Sequence, residues 1–519
     1  AVAEGGGGFV RGGLMLARTD HPVLPKVWAL GESDGSLFAV MDFVEGRPLS
    51  ECLEERVFTE QDALRVGMDI ARGIAAIDRA GFVHRDVKPQ NILWDGERAR
   101  LVDVGLVARP GQFRAEGFVG TLAYASPEQI GSLNRPVDTR SDLYSLGCVL
   151  YACVTGQPPF EDEEEPAFQS VREPTPLAET GAEVSGEFCR VLDRLLAAEP
   201  DDRFDRPAQV WQALAESLHV DVERESPSEF GIELEVEAPT GRMAEFDRLL
   251  RQFEHVRSRE RGALALVAGD IGAGKSRFVD TFAERVDRRA SCCVTDSCAP
   301  ETREPLSSVR RIYRRLLNQS GHRGEGDRWL ERLRDSIRGG GVAESILRGD
   351  TDASGVEPGR GRVGALARFV AEVAREVGCR ALVVDAAEWM DEASRLVFGR
   401  LVELLDQYEL HLVVAVNPTQ ADGLGEGLWQ AARKLAGGAG EEAEGRARIE
   451  LGALTPEETE QYVEEYFERP VEDDSFGEYL YSATSGNPLI LEEYLEVLLE
   501  ELVLRPVWDS WVVDRQRLA

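Results

Sequence analysis

The chain has 519 residues, of which 43% are hydrophobic and 29% charged, with a formal net charge of −35. That length exceeds one ordinary core and predicts several globular domains; the acidic balance argues against a nucleic-acid scaffold, whose phosphates it would repel. No apolar run reaches the roughly 18 residues a membrane helix needs, and no secretory leader is read at the start, so the expectation is a cytoplasmic protein with no membrane partner.

In chain order, residues 1 to about 20 are Gly-rich (Gly5 to Gly8, Gly12, Gly13), and the run Gly5 to Gly8 reads as a floppy end. Apolar runs at Val23 to Leu30 and Leu37 to Phe43, separated by Gly31 to Gly35, predict a hairpin. Ala63, Leu64, Val66, Ile70, Ile74 and Ile77 recur at helical spacing, with Thr59 placed to cap that helix. Short strands are expected at Ile92 to Trp94 and Arg100 to Val102, and mainly helices from Ser141 to Leu218. The acidic, Pro-containing residues 219–237 predict a linker. Beyond it come a helix (Arg242 to Arg257), a buried strand (Ala263 to Ala268) and a helix (Arg277 to Val286). Residues 338–362, rich in Gly, Arg and Asp, are expected to be a loop. Apolar strands at Ala381 to Asp385 and Leu412 to Val416 alternate with helices, which implies a parallel sheet. The expected domains are 1–218, the linker 219–237, and 238–519.

Cysteines stand at 52, 148, 153, 189, 292, 293, 298 and 379. Their spacing offers no paired Cys-x-x-Cys zinc pattern, and buried free thiols in a reducing cytosol are expected. Lysine is confined to positions 26, 88, 275 and 434. Two of these fall in motifs where a compact ammonium must meet phosphate.

The first motif is His84-Arg85-Asp86-Val87-Lys88-Pro89-Gln90-Asn91, followed by Asp103-Val104-Gly105. Phosphoryl transfer to a hydroxyl needs an acceptor for its proton and oxygen ligands for magnesium. Asp86 suits the first role, Asn91 and Asp103 the second, and Lys88 can steady the transferring group.

On these residues the stretch from about His21 to Leu218 resembles the eukaryotic-like bacterial Ser/Thr protein kinases. The resemblance implies that Gly120-Thr121 to Ser126-Pro127-Glu128 closes the activation loop and faces substrate. It implies that Asp142 anchors the catalytic-loop backbone, that Arg203 partners Glu128, and that Met41, Asp42 and Val44 belong to the adenine hinge. Lys88 and Thr121 favour Ser/Thr over Tyr as acceptor. Two features depart from the family. Its Gly-rich loop and strand Lys have no counterpart, since the first lysine is Lys26, one strand too late. Gly12 stands where a Glu should pair with that Lys. Either the chain is a fragment lacking the start of the domain or the domain is a pseudokinase; the intact Asp86, Lys88, Asn91 and Asp103 favour the fragment. Residues 104–119 hold no Ser, Thr or Tyr, so the usual phosphate switch facing Arg85 is absent and activity is expected to be set by the rest of the protein. The acidic run Glu161 to Glu165 reads as a solvated loop.

The second motif, Gly269-Asp270-Ile271-Gly272-Ala273-Gly274-Lys275-Ser276, follows an apolar strand and opens a helix. Its backbone amides and helix start can cradle phosphates. Lys275 reaches the outer phosphates, Ser276 ligates magnesium, and Asp385, ending a strand, fits the acid that holds magnesium through water. Arg277 completes the nucleotide-binding set. With Gly241-Arg242, Trp389 to Ser394 and Thr484 to Pro488, residues 238–519 resemble the signal-transduction ATPases with numerous domains, close to the AAA family. That resemblance implies a helical lid entered at Leu454 to Glu458, and self-association. The family's second acid is replaced by Ala386; Glu388 and Asp391 are read as lying on the wrong face or too far, and Asn417 replaces an expected Arg. Slow hydrolysis is the expectation.

The overall reading is a multidomain α+β and α/β chain: a kinase-like fold, mostly its C-terminal lobe, followed by a P-loop parallel sheet with a helical lid. The expected function is a signalling Ser/Thr protein kinase using ATP and Mg2+ on protein Ser/Thr acceptors. The alternative is a pseudokinase scaffold on a nucleotide-driven oligomerisation switch. A small-molecule kinase is disfavoured by the Gly120 to Glu128 segment.

Overall fold

The computed structural model describes residues 6–19, 21–33, 36–103, 105–110, 122–133, 135–160, 174–217, 238–259, 261–287, 292–298, 304–319, 328–337, 340–348, 360–419, 446–467, 470–473, 475–501, 503–507 and 510–518. The expected linker, Gly120, Thr121 and the run at 161–165 lie outside these residues. So does residue 104 and most of the stretch up to 119. By contacts the chain divides into two compact units: 1–234 with 464–476 and 494–519, and 235–463 with 477–493.

The first unit opens with helix α1 (Gly6–Arg18), whose first residues fall in the Gly5 to Gly8 run expected to be a floppy end. Burial of Val10, Leu14, Met15 and Leu16 supplies what glycine takes away, about 1 kcal/mol per helical Gly. Gly13 also has a positive use: a Cβ there would sit 2.5 Å from Leu30 Cδ2, so its absence lets α1 press onto strand β1 (Val27–Ser33). Strand β1 pairs antiparallel with β2 (Ser36–Met41), the predicted hairpin.

Strand β3 (Arg47–Pro48) and helices α2 (Leu49–Glu55) and α3 (Glu60–Arg79) follow. Thr59 Oγ1 accepts from Asp62 N at 3.2 Å, the expected cap. Strands β4 (Ile92–Trp94) and β5 (Ala99–Leu101) form a second hairpin, with β3 along β4. Then come α4 (Thr139–Thr155), α5 (Leu177–Thr180), α6 (Gly186–Leu195) and α7 (Pro207–Ser217). Helix α4 is buried on every side, from Ser141 to Val154, as a helix apolar all round must be. Asp138 caps its start and Gly156, at φ 79, its end.

The second unit is a doubly covered sheet. Its elements are α8 (Met243–Arg259), β6 (Ala263–Gly269), α9 (Lys275–Asp287), β7 (Cys292–Ser297), α10 (Ser307–Gln319), α11 (Arg328–Ser336), α12 (Gly340–Arg348), α13 (Arg360–Glu376), β8 (Cys379–Asp385), α14 (Glu392–Leu404), β9 (His411–Val416) and β10 (Arg446–Leu451). The strands run parallel in the order β10-β6-β9-β8-β7. Strand β6 is buried along its whole length, the uninterrupted apolar run expected of a parallel sheet covered on both faces. Ala265 and Val267 face Phe253, Phe278 and Phe282 of α8 and α9, while Leu264 and Leu266 face the cluster that includes α10, α13 and α14. Residues 338–362 are not one loop: α12 and the start of α13 lie within them. Ala343, Ile346 and Leu347 of α12 are buried, as are Val363, Leu366 and Ala367 further along α13, and that helical spacing decides the structure despite the glycines.

The chain ends with α15 (Pro456–Phe467), α16 (Phe476–Thr484), α17 (Pro488–Glu500), the hairpin of β11 (Leu504–Val507) and β12 (Ser510–Val513), and α18 (Arg515–Leu518). Trp511 packs on Phe467 at 4.7 Å between ring centroids. Among the described residues the cysteines at 52, 148, 153, 189, 293, 298 and 379 are free thiols. Cys52 and Cys189 are only half-buried, against the expectation, because they sit on helices whose neighbours at 51 and 190 face solvent.

Candidate functional site

In the first unit, a buried carboxylate shapes the loop at 84–91. Asp142, inside α4, accepts from His84 N and Arg85 N, both at 2.7 Å. Burial pushes its carboxyl up to about 7, opposed by those two amides. Arg85 takes a left-handed backbone, φ 69, and Gln129 Nε2 donates to its carbonyl at 3.0 Å. His84 is fully buried, its Nδ1 accepts from Asp86 N at 3.3 Å, and burial lowers it to about 4, so the ring is neutral.

Asp86 is thereby presented between two partners. Lys88 Nζ lies 2.8 Å from Asp86 Oδ2, and Asn91 Nδ2 donates to the same oxygen at 2.8 Å and to the Asp86 carbonyl at 2.9 Å. With its Nδ2 so engaged, the Asn91 carboxamide turns its oxygen away from Asp86. Val102 N donates to the Asn91 carbonyl at 2.8 Å, which brings Asp103 beside it. Asp103 is exposed at φ 65 and accepts from Gly105 N at 3.2 Å. Asp86, Lys88, Asn91 and Asp103 thus share one loop cluster; hard oxygens there suit magnesium.

Behind it, Arg203 binds Glu128 in a buried fork at 2.7 and 2.9 Å, and Ser141 Oγ donates to Glu128 Oε1 at 2.6 Å. In the stretch expected to be the adenine hinge, Asp42 N donates to the Lys26 carbonyl at 2.9 Å and Asp42 Oδ1 accepts from Trp28 Nε1 at 2.7 Å. Met41 is exposed, Val44 half-buried, and Phe43 is 90% exposed. The Lys26 ammonium lies over the Trp28 ring, 5.1 Å from its centroid.

In the second unit the turn at 269–276 joins β6 to α9. Gly272 and Gly274 hold φ 81 and 86, a conformation side chains resist. Lys275 Nζ donates to the carbonyls of Gly269 and Asp270, both at 2.9 Å. Ser276 Oγ donates to Asp385 Oδ2 at 2.6 Å. The other oxygen, Asp385 Oδ1, is buried with no protein partner, and burial raises that carboxyl, opposed mainly by the Ser276 bond. An orphaned oxygen beside a hydroxyl fits a pair that would hold magnesium. Arg277 is exposed at the start of α9.

Sequence reasoning missed the contacts that close this site. Asn487 Nδ2 donates to the Ile271 carbonyl at 3.0 Å, and Leu489 N to the Gly272 carbonyl at 3.2 Å. The same Asn487 caps α17 through Oδ1, which accepts from Leu489 N at 3.1 Å. Thr484 to Pro488 had been a landmark only, and a separation of 216 residues carries no local signal. Asp391 is saturated by Leu306 N, Ser307 Oγ, Ser394 N and Ser394 Oγ. Glu388, read as lying on the wrong face or too far, reaches the end of β9, where its Oε2 accepts from Asn417 N at 3.1 Å.

A protein kinase domain family model matches residues 10–215, and an AAA ATPase domain model matches residues 238–415. The serine/threonine-protein kinase PknB of Mycolicibacterium smegmatis is 34% identical over 216 residues, covering 39% of this chain and 34% of the relative. PknB of Mycobacterium tuberculosis gives the same identity and coverage. A probable serine/threonine-protein kinase PknB of Corynebacterium glutamicum is 33% identical over 220 residues, covering 39% of this chain and 34% of the relative. The matched stretch thus spans about a third of these relatives' length.

Proposed function

We propose that this protein, in which a protein kinase domain is joined to an AAA ATPase domain, is a signalling kinase that transfers the γ-phosphoryl group of ATP to Ser and Thr of other proteins, with the ATPase as its regulatory module. The observation that carries the reading is the Asp86 carboxylate set 2.8 Å from both Lys88 Nζ and Asn91 Nδ2. In this reading the modules are 1–218 and 238–519, joined by 219–237. Asp86 orients the acceptor hydroxyl and takes its proton; Lys88 offsets charge on the transferring group. Asn91 and Asp103 would hold magnesium, which when bound neutralises phosphate charge. Arg85, Glu128, Asp142 and Arg203 hold the loop's shape, Thr121 faces the acceptor, and Met41, Asp42 and Val44 meet adenine. In the second module Gly269, Gly272, Gly274, Lys275, Ser276, Arg277 and Asp385 bind ATP, with Ser276 and Asp385 toward magnesium. Self-association through this module and a cytoplasmic location belong to the same reading.

The test is transfer of labelled phosphate from ATP to a Ser/Thr-containing acceptor protein. Wild-type transfer that falls about 100-fold or more in Asp86→Asn supports the kinase; equal labelling by the two proteins sinks it. Two observations favour the pseudokinase alternative: Lys26 lies over Trp28, and Gly12 occupies α1 where an acidic partner would stand. Wild-type protein that never labels an acceptor, yet binds ATP through Lys275, decides for that alternative.

A further inference from the structure

ATP hydrolysis needs a group to take a proton from the attacking water. In the second unit the position directly after Asp385 is Ala386, held at φ 48, and it has nothing to offer. The topology points elsewhere. Strand β9 lies between β6, which leads into the 269–276 turn, and β8, which ends at Asp385. Whatever stands at the end of β9 therefore stands between the phosphate cradle and Asp385. That place is taken by Asn417 and by the carboxylate of Glu388, whose Oε2 accepts from Asn417 N at 3.1 Å.

Two observations make this more than a backbone cap. Asn417 is 1% exposed; its Oδ1 serves Thr419 N and Thr419 Oγ1 at 3.0 and 2.7 Å, but its Nδ2 has no partner in the protein. Asp385 Oδ1, nearby, is buried and equally unpartnered. Two orphaned polar atoms and a half-buried carboxylate at the C-terminal ends of interior strands of a parallel sheet fit a small polar guest. The other nearby acid, Asp391, is consumed by four hydrogen bonds.

We propose that Glu388 is the general base of this ATPase, positioned from β9 by Asn417. The proposal rests on reading the second unit as an ATP-hydrolysing module. Glu388 takes one proton from water; the water oxygen forms a bond to the γ-phosphorus. The bond from the γ-phosphorus to its bridging oxygen breaks, its electron pair leaves with ADP, and inorganic phosphate is released. Asn417 holds the water through Nδ2.

The experiment uses the full chain in an Asp86→Asn background, so that the first unit contributes no turnover. Phosphate release and binding of a fluorescent ATP analogue are measured for Glu388→Gln, Lys275→Ala and Glu392→Gln. Gln at 388 can still accept from Asn417 N, so a purely structural role would survive the change. The expected result is phosphate release at least about 100-fold slower in Glu388→Gln, with affinity within threefold. Nucleotide recovered with the variant after gel filtration is then ATP, where the parent retains ADP. Glu392→Gln, exposed on α14, turns over like its parent. Hydrolysis by Glu388→Gln within threefold of its parent, loss of its nucleotide binding, or a parent no faster than Lys275→Ala each overturns the proposal. If Lys275→Ala binds the analogue undiminished, the P-loop reading itself fails instead.

Discussion

Arg203 clamps Glu128 with both terminal nitrogens, at 2.7 and 2.9 Å, and neither side chain reaches solvent. The guanidinium also donates to the carbonyls of Arg140, Ala197 and Ala198 at 3.0, 2.7 and 2.8 Å and lies over Tyr144. Removing one member leaves a charge buried alone, which costs about 3–5 kcal/mol. Arg203→Ala is therefore expected to unfold the first unit at clearly lower urea concentration. The double variant Arg203→Met with Glu128→Leu should lose less than either single change; urea titration monitored by tryptophan fluorescence checks the order.

Gly272→Ala tests the phosphate cradle. Its φ of 81 costs an alanine about 1–2 kcal/mol, and the new Cβ would stand 2.3 Å from Asn487 Oδ1. Binding of a fluorescent ATP analogue should weaken about tenfold or more. Unchanged binding would mean that the turn at 269–276 is not where nucleotide sits.

Asn487 has two separable duties. Asn487→Asp keeps an oxygen to cap α17 but cannot donate to the Ile271 carbonyl; Asn487→Ala loses both, with a cap contribution of about 1 kcal/mol. Amide exchange should therefore quicken at 271–274 in both variants. At 489–491 it should quicken in Asn487→Ala alone.

His411 sets a pH dependence in the second unit. It is fully buried, and burial lowers it to about 3. On acidification the unfolded chain takes up a proton near pH 6.5 while the folded one does not. The stability contribution is thus complete above about 6.5 and declines as pH falls, reaching its floor near 3. Between pH 7 and 5 the loss is about 2 kcal/mol. His411→Phe, stacked on Phe253 like the ring it replaces, should flatten that slope. Parallel pH profiles of thermal unfolding for the two proteins would refute the assignment.

What could be read from the sequence was what short spacing carries. The helix capped by Thr59, the hairpin around residues 34–35 and the turn before Lys275 each declare themselves within a few residues. The helical start at Gly6 did not, because glycine's intrinsic cost is local while the burial of Val10, Leu14 and Met15 is not. The helices inside 338–362 were within reach: Ala343, Ile346 and Leu347 have helical spacing, but composition outweighed it. The contact of Glu388 with Asn417 was not legible for another reason. The Glu388 side chain is aimed by a turn, Ala387 to Trp389, and by an amide on the neighbouring strand, neither of which periodicity describes.

Strand β6 carries packed side chains front and back. A saturation scan across 263–269 should thus show an unbroken block of intolerance to charge, without the every-other-residue rhythm that a one-sided sheet produces. The rhythm should reappear in β11 and β12, where enclosed and open positions alternate. Evolution along the first strand can proceed only by trading one hydrocarbon shape for another, so its drift is confined to volume and branching.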